Sequence, residues 1–126
     1  MEIVQINMKK AFVAAMELNR KLDGKKDFIC LVTEPYRNRN KIAASPNGST
    51  VCNSKGINLR ASIFSNTGST VLAMDHLCND DCAVILLKSE GGATLIASVY
   101  LDINKDPYPL GLRKYVTMLP KRTMAY

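Results

Sequence analysis

The chain has 126 residues, of which 47% are hydrophobic, and it carries a formal net charge of +6. This length suits one domain at most, and the hydrophobic share can supply a real core, which excludes a disordered chain. No apolar run approaches the roughly 20 residues needed to cross a bilayer, and the N-terminus lacks the basic and apolar blocks of a signal peptide, so we expect a soluble, intracellular protein that does not contact membranes.

The chain begins with a predicted strand, helix and strand. Ile3 to Asn7 form the first strand. The apolar arc of the helix that follows consists of Met8, Ala11, Phe12, Ala15, Leu18 and Leu22. Gly24 suits the left-handed residue that ends a helix. The apolar run from Ile29 to Tyr36 is too short for a globular helix and rich enough in Ile, Leu and Val to be a buried strand.

The second strand ends on a carboxylate. Pro35 cannot continue a central ladder and restricts Glu34 to extended geometry, so the strand stops and presents the Glu34 side chain at its carboxyl end. A right-handed crossover makes the two strands parallel and places Asn7 and Glu34 at the same edge of the sheet. Open α/β sheets bind their ligands there. The alternative is a surface Glu that closes an ordinary core strand.

The rest of the chain is predicted to be a loop, a set of antiparallel strands and a short helix. Residues 37–56 are polar and form a long loop with a short strand near residues 50–52. Strand-like runs connected as antiparallel hairpins follow at residues 59–64, 70–74, 83–87 and 94–100. Pro107 and Pro109 introduce a helix that Pro120 terminates, and residues 121–126 have the pattern of an approach to another strand.

Cysteine and histidine offer a weak candidate for a metal site. The cysteines Cys30, Cys52, Cys78 and Cys82 are scattered through different predicted elements, which favours free thiols over a disulfide framework. His76, Cys78 and Cys82 supply only three ligands, and their spacing is not one of the usual zinc patterns. No glycine-rich phosphate loop is present.

The edge of the sheet is the stronger candidate for a site. Tyr100 or Asp102, at the end of the last strand, would converge there with Asn7 and Glu34. A single carboxylate holds Mg²⁺ through one or two oxygens, with waters and a substrate phosphate completing the shell. Hydrolysis of a phosphodiester also needs a base and a partner for the phosphoryl oxygens, and the sequence shows no Asp-His pair for this work.

Three stretches together resemble a known family. The segment I-V-Q-I-N at residues 3–7, the helix, and I-C-L-V-T-E-P-Y-R at residues 29–37 resemble the amino-terminal part of the endonuclease domain of non-LTR (LINE-type) retrotransposons. These domains belong to the endonuclease/exonuclease/phosphatase family, with the apurinic endonucleases. Residues 97–104, A-S-V-Y-L-D-I-N, resemble the family strand that bears a catalytic Tyr, and the Pro-led helix after it fits the same order.

The resemblance implies a DNA endonuclease that uses Mg²⁺ or Mn²⁺. It makes Glu34 the metal ligand, Asn7 a phosphate or metal-shell residue, and Tyr100 a hydrogen-bond donor to the scissile phosphate. Asn104 departs from the pattern, because the Pro that often precedes the family Asn is Ile103 here. A nuclear location is implied if the chain is expressed as part of a retroelement protein.

The family continues with an Asp-x-Asn-x-His strand and a Ser-Asp-His segment, which have no counterpart in these 126 residues. The resemblance therefore implies that residues 1–126 are the amino-terminal portion of one domain. Its fold would be α+β, a truncated four-layer α/β/β/α sandwich of the endonuclease/exonuclease/phosphatase type, inactive alone. Residues 59–100 would form one sheet without its partner strands, so we expect self-association through the uncovered inner face. The candidate residues for that face are Ile63, Val84, Leu86, Leu95, Ala97 and Val99.

A small basic module that binds nucleic acid without catalysis is the alternative. Residues 1–60 hold eleven Lys and Arg against five acidic residues, whereas residues 61–126 hold six of each. A one-sided positive field suits a polyanion, although surplus Lys also keeps small domains soluble. The predicted phosphate contacts are Arg37, Arg39, Lys41 and Lys55.

Overall fold

The computed structural model describes residues 1–39 and 43–101 and the backbone of residues 122–123. The elements in chain order are β1 (Glu2–Asn7), α1 (Phe12–Leu22), β2 (Phe28–Thr33), β3 (Thr50–Asn53), β4 (Ala61–Asn66), β5 (Thr70–Ala73), β6 (Cys82–Ser89), β7 (Gly92–Val99) and β8 (Arg122–Thr123). A short 3-10 helix, Asp75–Leu77, lies between β5 and β6. The predicted α+β class is confirmed.

The strands form two sheets. Among the described residues, the first has five strands in the order β3-β4-β2-β1-β8, and the second has three in the order β5-β6-β7. β1 and β2 pair in parallel, from Glu2 opposite Phe28 to Asn7 opposite Thr33, which confirms the predicted strand, helix and strand unit. β8 pairs in parallel with Val4 and Gln5 of β1, as the pattern of residues 121–126 predicts.

Side chains of the first sheet alternate between two neighbouring layers. On one face, Val4, Cys30 and Phe64 pack in one buried cluster with residues of α1. On the other face, Ile29 and Ile63 pack against the second sheet. The described layers are therefore α1, the first sheet and the second sheet. The predicted helix between Pro107 and Pro120, and with it the fourth layer, lies outside the described residues.

The position of β4 corrects the prediction that residues 59–100 form one sheet. β4 pairs with β2 and β3 in the first sheet, because a strand buried on both of its faces fits between two layers. The predicted hairpins are confirmed for β5 with β6 and β6 with β7. The hairpin between β4 and β5 is wrong, since the chain crosses there from one sheet to the other.

The inner face of the second sheet is covered. Ile85, Leu87 and Ile96 pack with Ile63 across the interface between the sheets. The remaining residues predicted for an uncovered inner face lie on the opposite face of the second sheet: Val84, Leu86, Leu95, Ala97 and Val99. All of them except Leu86 pack in one cluster with Leu77, and Leu86 is paired with Leu95. The prediction that these residues lie on one face of the sheet is confirmed. The prediction that this face packs against another sheet is wrong.

The start of α1 also differs from the prediction. The helix begins at Phe12, after a turn in which Lys9 and Lys10 have φ values of 50° and 58°. Its buried residues are Ala14, Ala15, Leu18 and Leu22. Because a helix turns about 100° per residue, Phe12 lies off this arc, and its side chain is 56% exposed. In the part of the chain that the structure describes, no helix has the length and apolar character to span a membrane.

Candidate functional site

Asn7 and Glu34 meet where β1 and β2 end. Asn7 Nδ2 donates a hydrogen bond to Glu34 Oε1 at 3.3 Å. The parallel register of the two strands explains this contact, since it brings their carboxyl ends to the same edge. The predicted proximity of the two side chains is confirmed.

The hydrogen bonds of Asn7 fix the orientation of its amide. Asn7 Oδ1 accepts a bond of 2.9 Å from the Lys9 backbone N–H, while Nδ2 faces Glu34. The reverse orientation would direct Nδ2 at an N–H donor and Oδ1 at a carboxylate oxygen, and neither pair can form a hydrogen bond. Asn7 therefore holds the turn with its oxygen and orients Glu34 with its nitrogen.

The backbone of Glu34 has a φ of 47°, so the extended geometry expected before Pro35 is wrong. Two main-chain hydrogen bonds of 2.8 Å hold this conformation: Glu34 N–H donates to Arg60 O, and Lys10 N–H donates to Glu34 O. A left-handed residue that is not Gly costs about 1 to 3 kcal/mol and persists only where its surroundings enforce it. Such strain clusters at functional sites, which favours Glu34 over an incidental surface carboxylate.

The second sheet brings Tyr100 to the same edge. Ser98 Oγ donates to Val32 O at 2.8 Å, which joins the end of β7 to the end of β2. Tyr100 N–H donates to Asp81 O at 2.8 Å. The Arg60 guanidinium lies 5.6 Å from the centre of the Tyr100 ring. We call this edge, formed by Asn7, Glu34, Arg60, Asp81 and Tyr100, the rim.

Arg60 and Asp81 were missed from the sequence. Arg60 Nη1 donates to Asp81 Oδ1 at 2.9 Å, and the side chain of Asp81 is only 6% exposed. Arg60 thus bonds to Glu34 through its carbonyl and contacts both Asp81 and Tyr100 through its guanidinium. In the sequence, Arg60 lies inside the run predicted as a strand at residues 59–64, and Asp81 lies in a predicted turn. A charged residue within an otherwise apolar strand pattern was the one available signal.

The predicted phosphate contacts are spread around the rim. Arg37 Nη1 donates to Ile57 O at 2.9 Å, and Arg39 is exposed. Lys55 is also exposed, but the Asp80 carboxylate lies against the adjacent Gly56, so the local field there is mixed. Lys41 lies outside the described residues.

Lys9 and Lys10, which were not among those predictions, are exposed on the turn next to Asn7. Together with Arg37 and Arg39, they place cations in the segments that directly follow β1 and β2.

The cysteines are free thiols, as predicted. Burial raises the pKa of Cys30, Cys52 and Cys82 to about 12 in each case. Their thiols are therefore protonated at neutral pH and are poor nucleophiles. In residues 1–39 and 43–101, no group of three or more His, Cys, Asp or Glu side chains is arranged to hold a metal ion.

Of the two described carboxylates at the rim, Glu34 is the one available to a metal ion, because Asp81 is buried and bonded to Arg60. Glu34 is partly exposed, and Oε1 accepts the bond from Asn7. Among the described residues, no hydrogen bond to Oε2 is present. Mg²⁺ is commonly held by one or two carboxylates together with waters and substrate phosphate. Glu34 fits such an open site, and it does not form a closed cage.

No protein-family model and no curated protein matches the chain. Among solved structures, the chain is similar to the endonuclease domain of TRAS1, a telomere-specific non-LTR retrotransposon, with a TM-score of 0.65 and 21% sequence identity. The match covers 89% of this chain and 48% of that chain. The likeness confirms the fold that the sequence resemblance implies, and the chain spans about half the length of that domain.

Proposed function

We propose that the chain is part of a Mg²⁺-dependent endonuclease that nicks DNA, with Glu34 as a metal ligand. The fold supports this, because most of the chain superposes on a retrotransposon endonuclease domain. The observation that carries the proposal is the Glu34 carboxylate, which Asn7 orients and a strained backbone presents at the rim. A surface Glu without a role would not need this support.

Four of the five rim residues then have a task in binding the metal ion or the DNA phosphate. Glu34 would hold Mg²⁺ or Mn²⁺ through its carboxylate, and Asn7 would fix the orientation of that carboxylate. The Tyr100 hydroxyl donates to a phosphate oxygen, and Arg60 positions the Tyr100 ring. A bound Mg²⁺ supplies neutralisation of the charge that develops on the phosphoryl oxygens. Direct coordination by Asn7 remains a prediction, and it would use the second lone pair of Oδ1, because the first accepts the bond from the Lys9 N–H.

The chain is expected to be inactive without further residues. Attack on a phosphodiester needs a base that deprotonates water. The one His in the sequence, His76, follows Asp75 in the 3-10 helix between β5 and β6 and is not among the rim residues. Purified chain should therefore leave supercoiled plasmid intact in the presence of Mg²⁺. Robust nicking that is abolished by Glu34→Ala would show that these 126 residues contain a complete site.

Paramagnetic broadening by Mn²⁺ tests the metal ligand without requiring activity. Substoichiometric Mn²⁺ should broaden the NMR signals of the Asn7, Glu34 and Arg60 amides, and Glu34→Gln should remove this broadening. Glu90→Gln is the matched control, because Glu90 is an exposed carboxylate in the turn between β6 and β7. Broadening that survives Glu34→Gln, or that centres on Asp80, would refute the assignment.

Nucleic-acid binding without catalysis is the second candidate function. The observation that favours it is the set of exposed cations beside the rim, Lys9, Lys10 and Arg39. This reading predicts an affinity for DNA that falls steeply with salt, because contacts to phosphates release counterions. Replacing Arg39 with Ala should lower the salt slope by about one. Absence of DNA binding at low salt would reject this candidate and leave the Mn²⁺ test unaffected.

A further inference from the structure

Phe12 places an exposed aromatic ring beside the rim. Its side chain is 56% exposed, and its ring meets the partly buried Tyr36 ring at a centroid distance of 5.4 Å and an interplanar angle of 73°. In an edge-to-face pair, each ring touches the other with one edge or one face. Whichever ring presents its edge, Tyr36 leaves at least one face of Phe12 uncovered.

The aromatic pair is fixed to the backbone that carries Glu34. Tyr36 follows Glu34 by two residues, and its N–H donates to Met8 Sδ at 3.5 Å. Lys10 N–H donates to Glu34 O at 2.8 Å, directly before α1 begins. The segments before Phe12 and after Glu34 are therefore bonded together, so Phe12 keeps a defined position relative to the metal-ligand candidate.

The surroundings of Phe12 favour a polyanion as its partner. Phe12 and Met16 lie one helical turn apart, and Met16 is 47% exposed. Residues four apart face the same side of a helix, so the two side chains are exposed next to each other. The first turn of α1 contains no acidic residue, while Lys9 and Lys10 precede it and are exposed. A nucleic acid strand offers both partners at once, phosphates for the lysines and base faces for the ring.

We propose that Phe12, backed by Tyr36, stacks on an unstacked base of the DNA strand whose phosphate lies at the rim. The inference rests on the proposed function for DNA as the ligand, and it adds a requirement for a base that is accessible outside a duplex stack. Because every base has a π-face, this contact tolerates any sequence. The chain should accordingly prefer single-stranded or distorted DNA.

Two oligonucleotides separate stacking from phosphate binding. One is a single strand of about twelve nucleotides, within the usual range of single-strand site sizes. The other has the same length and phosphates but carries abasic sites throughout. Binding is measured by fluorescence anisotropy in EDTA, so that a metal ion makes no contribution. Phe12→Ala should weaken binding to the first oligonucleotide by about 5- to 150-fold and leave the second nearly unchanged.

Matched variants complete the test. Val13→Ala removes a side chain of similar exposure, 62%, that cannot stack on a base, and it should leave both affinities unchanged. Phe12→Tyr should retain the affinity for the oligonucleotide with bases. Equal weakening of both oligonucleotides by Phe12→Ala, no weakening of either, or absence of binding by the unmodified chain would overturn the proposal. Loss of the Mn²⁺ site alone would overturn the metal assignment and leave stacking intact.

Discussion

At the scale of single residues, Glu34 adopts a conformation that its neighbour disfavours. A residue before proline favours extended backbone, yet Glu34 has a φ of 47°. Its main-chain hydrogen bonds to Arg60 and Lys10 and the contact from Asn7 hold it there. These bonds come from two segments distant in sequence, the turn with Asn7 and Lys10 and the chain before β4, so local sequence preference was outweighed by tertiary structure.

Asn7 should influence both stability and metal binding. Asn7→Ala removes the donor to Glu34 and the acceptor for the Lys9 N–H, so we expect the free energy of unfolding to fall by about 1 to 2 kcal/mol. Mn²⁺ affinity should fall as well, because the carboxylate loses its orientation. Urea denaturation and Mn²⁺ titration measure the two effects.

The conservative variant Asn7→Asp separates the effect of Asn7 on stability from its effect on Mn²⁺ binding. It retains an acceptor for Lys9 and adds a carboxylate beside Glu34, which should raise the Mn²⁺ affinity, because added ligand charge favours the cation. Equal Mn²⁺ affinity in the unmodified chain and in both variants would contradict a role for Asn7 in the site.

At the scale of elements, Arg60 and Asp81 join the start of β4 to the start of β6 across the two sheets. Asp81→Asn removes the charge opposite a guanidinium that is 29% exposed, and we expect a loss of about 1 to 3 kcal/mol of stability. Asp80→Asn, one residue earlier and exposed, should change stability by no more than about 0.5 kcal/mol. Thermal unfolding of the two variants compares them directly; equal effects would show that the pair contributes little.

The elements also show what the sequence can and cannot predict. β1, α1 and β2 were predictable because their apolar periodicity is local and their connections are short, and the edge with Asn7 and Glu34 followed from their parallel pairing. The sheet that β4 joins was not predictable in this way. Ile63 could lie at the interface between the sheets as a member of either sheet. The pairing of its strand, β4, with β2 depends on contacts distant in sequence. The Arg60 and Asp81 pair follows from that same pairing.

At the scale of the whole molecule, the two sheets cover each other. Self-association was expected because the inner face of the second sheet was predicted to be uncovered. In the structure, Ile85 and Ile96 of this face pack on the first sheet, so the face is covered. Self-association itself remains a prediction, now without that basis. A sandwich packed in this way should unfold cooperatively and bind little hydrophobic dye, in contrast to a molten state.

The buried thiols predict how stability changes with pH. Burial raises the pKa of Cys30, Cys52 and Cys82 from 9.0 to about 12. The folded state holds these protons more tightly than the unfolded state. The contribution of the three thiols to the free energy of unfolding is therefore complete below pH 9 and is lost as the pH rises toward 12. The midpoint of urea unfolding should therefore fall between pH 9 and pH 11 by more than in a variant with all three residues changed to Ala. Equal falls in both proteins would contradict this account.

Anomalous diffraction from crystals grown with Mn²⁺ tests the central claim, that Glu34 is a metal ligand at the rim. The account predicts a peak at about 2 Å from Glu34 Oε2, with Asn7 Nδ2 still bonded to the other oxygen. Glu34→Gln crystals should lack the peak. Mn²⁺ bound only at other carboxylates, with no density beside Glu34, would contradict the assignment.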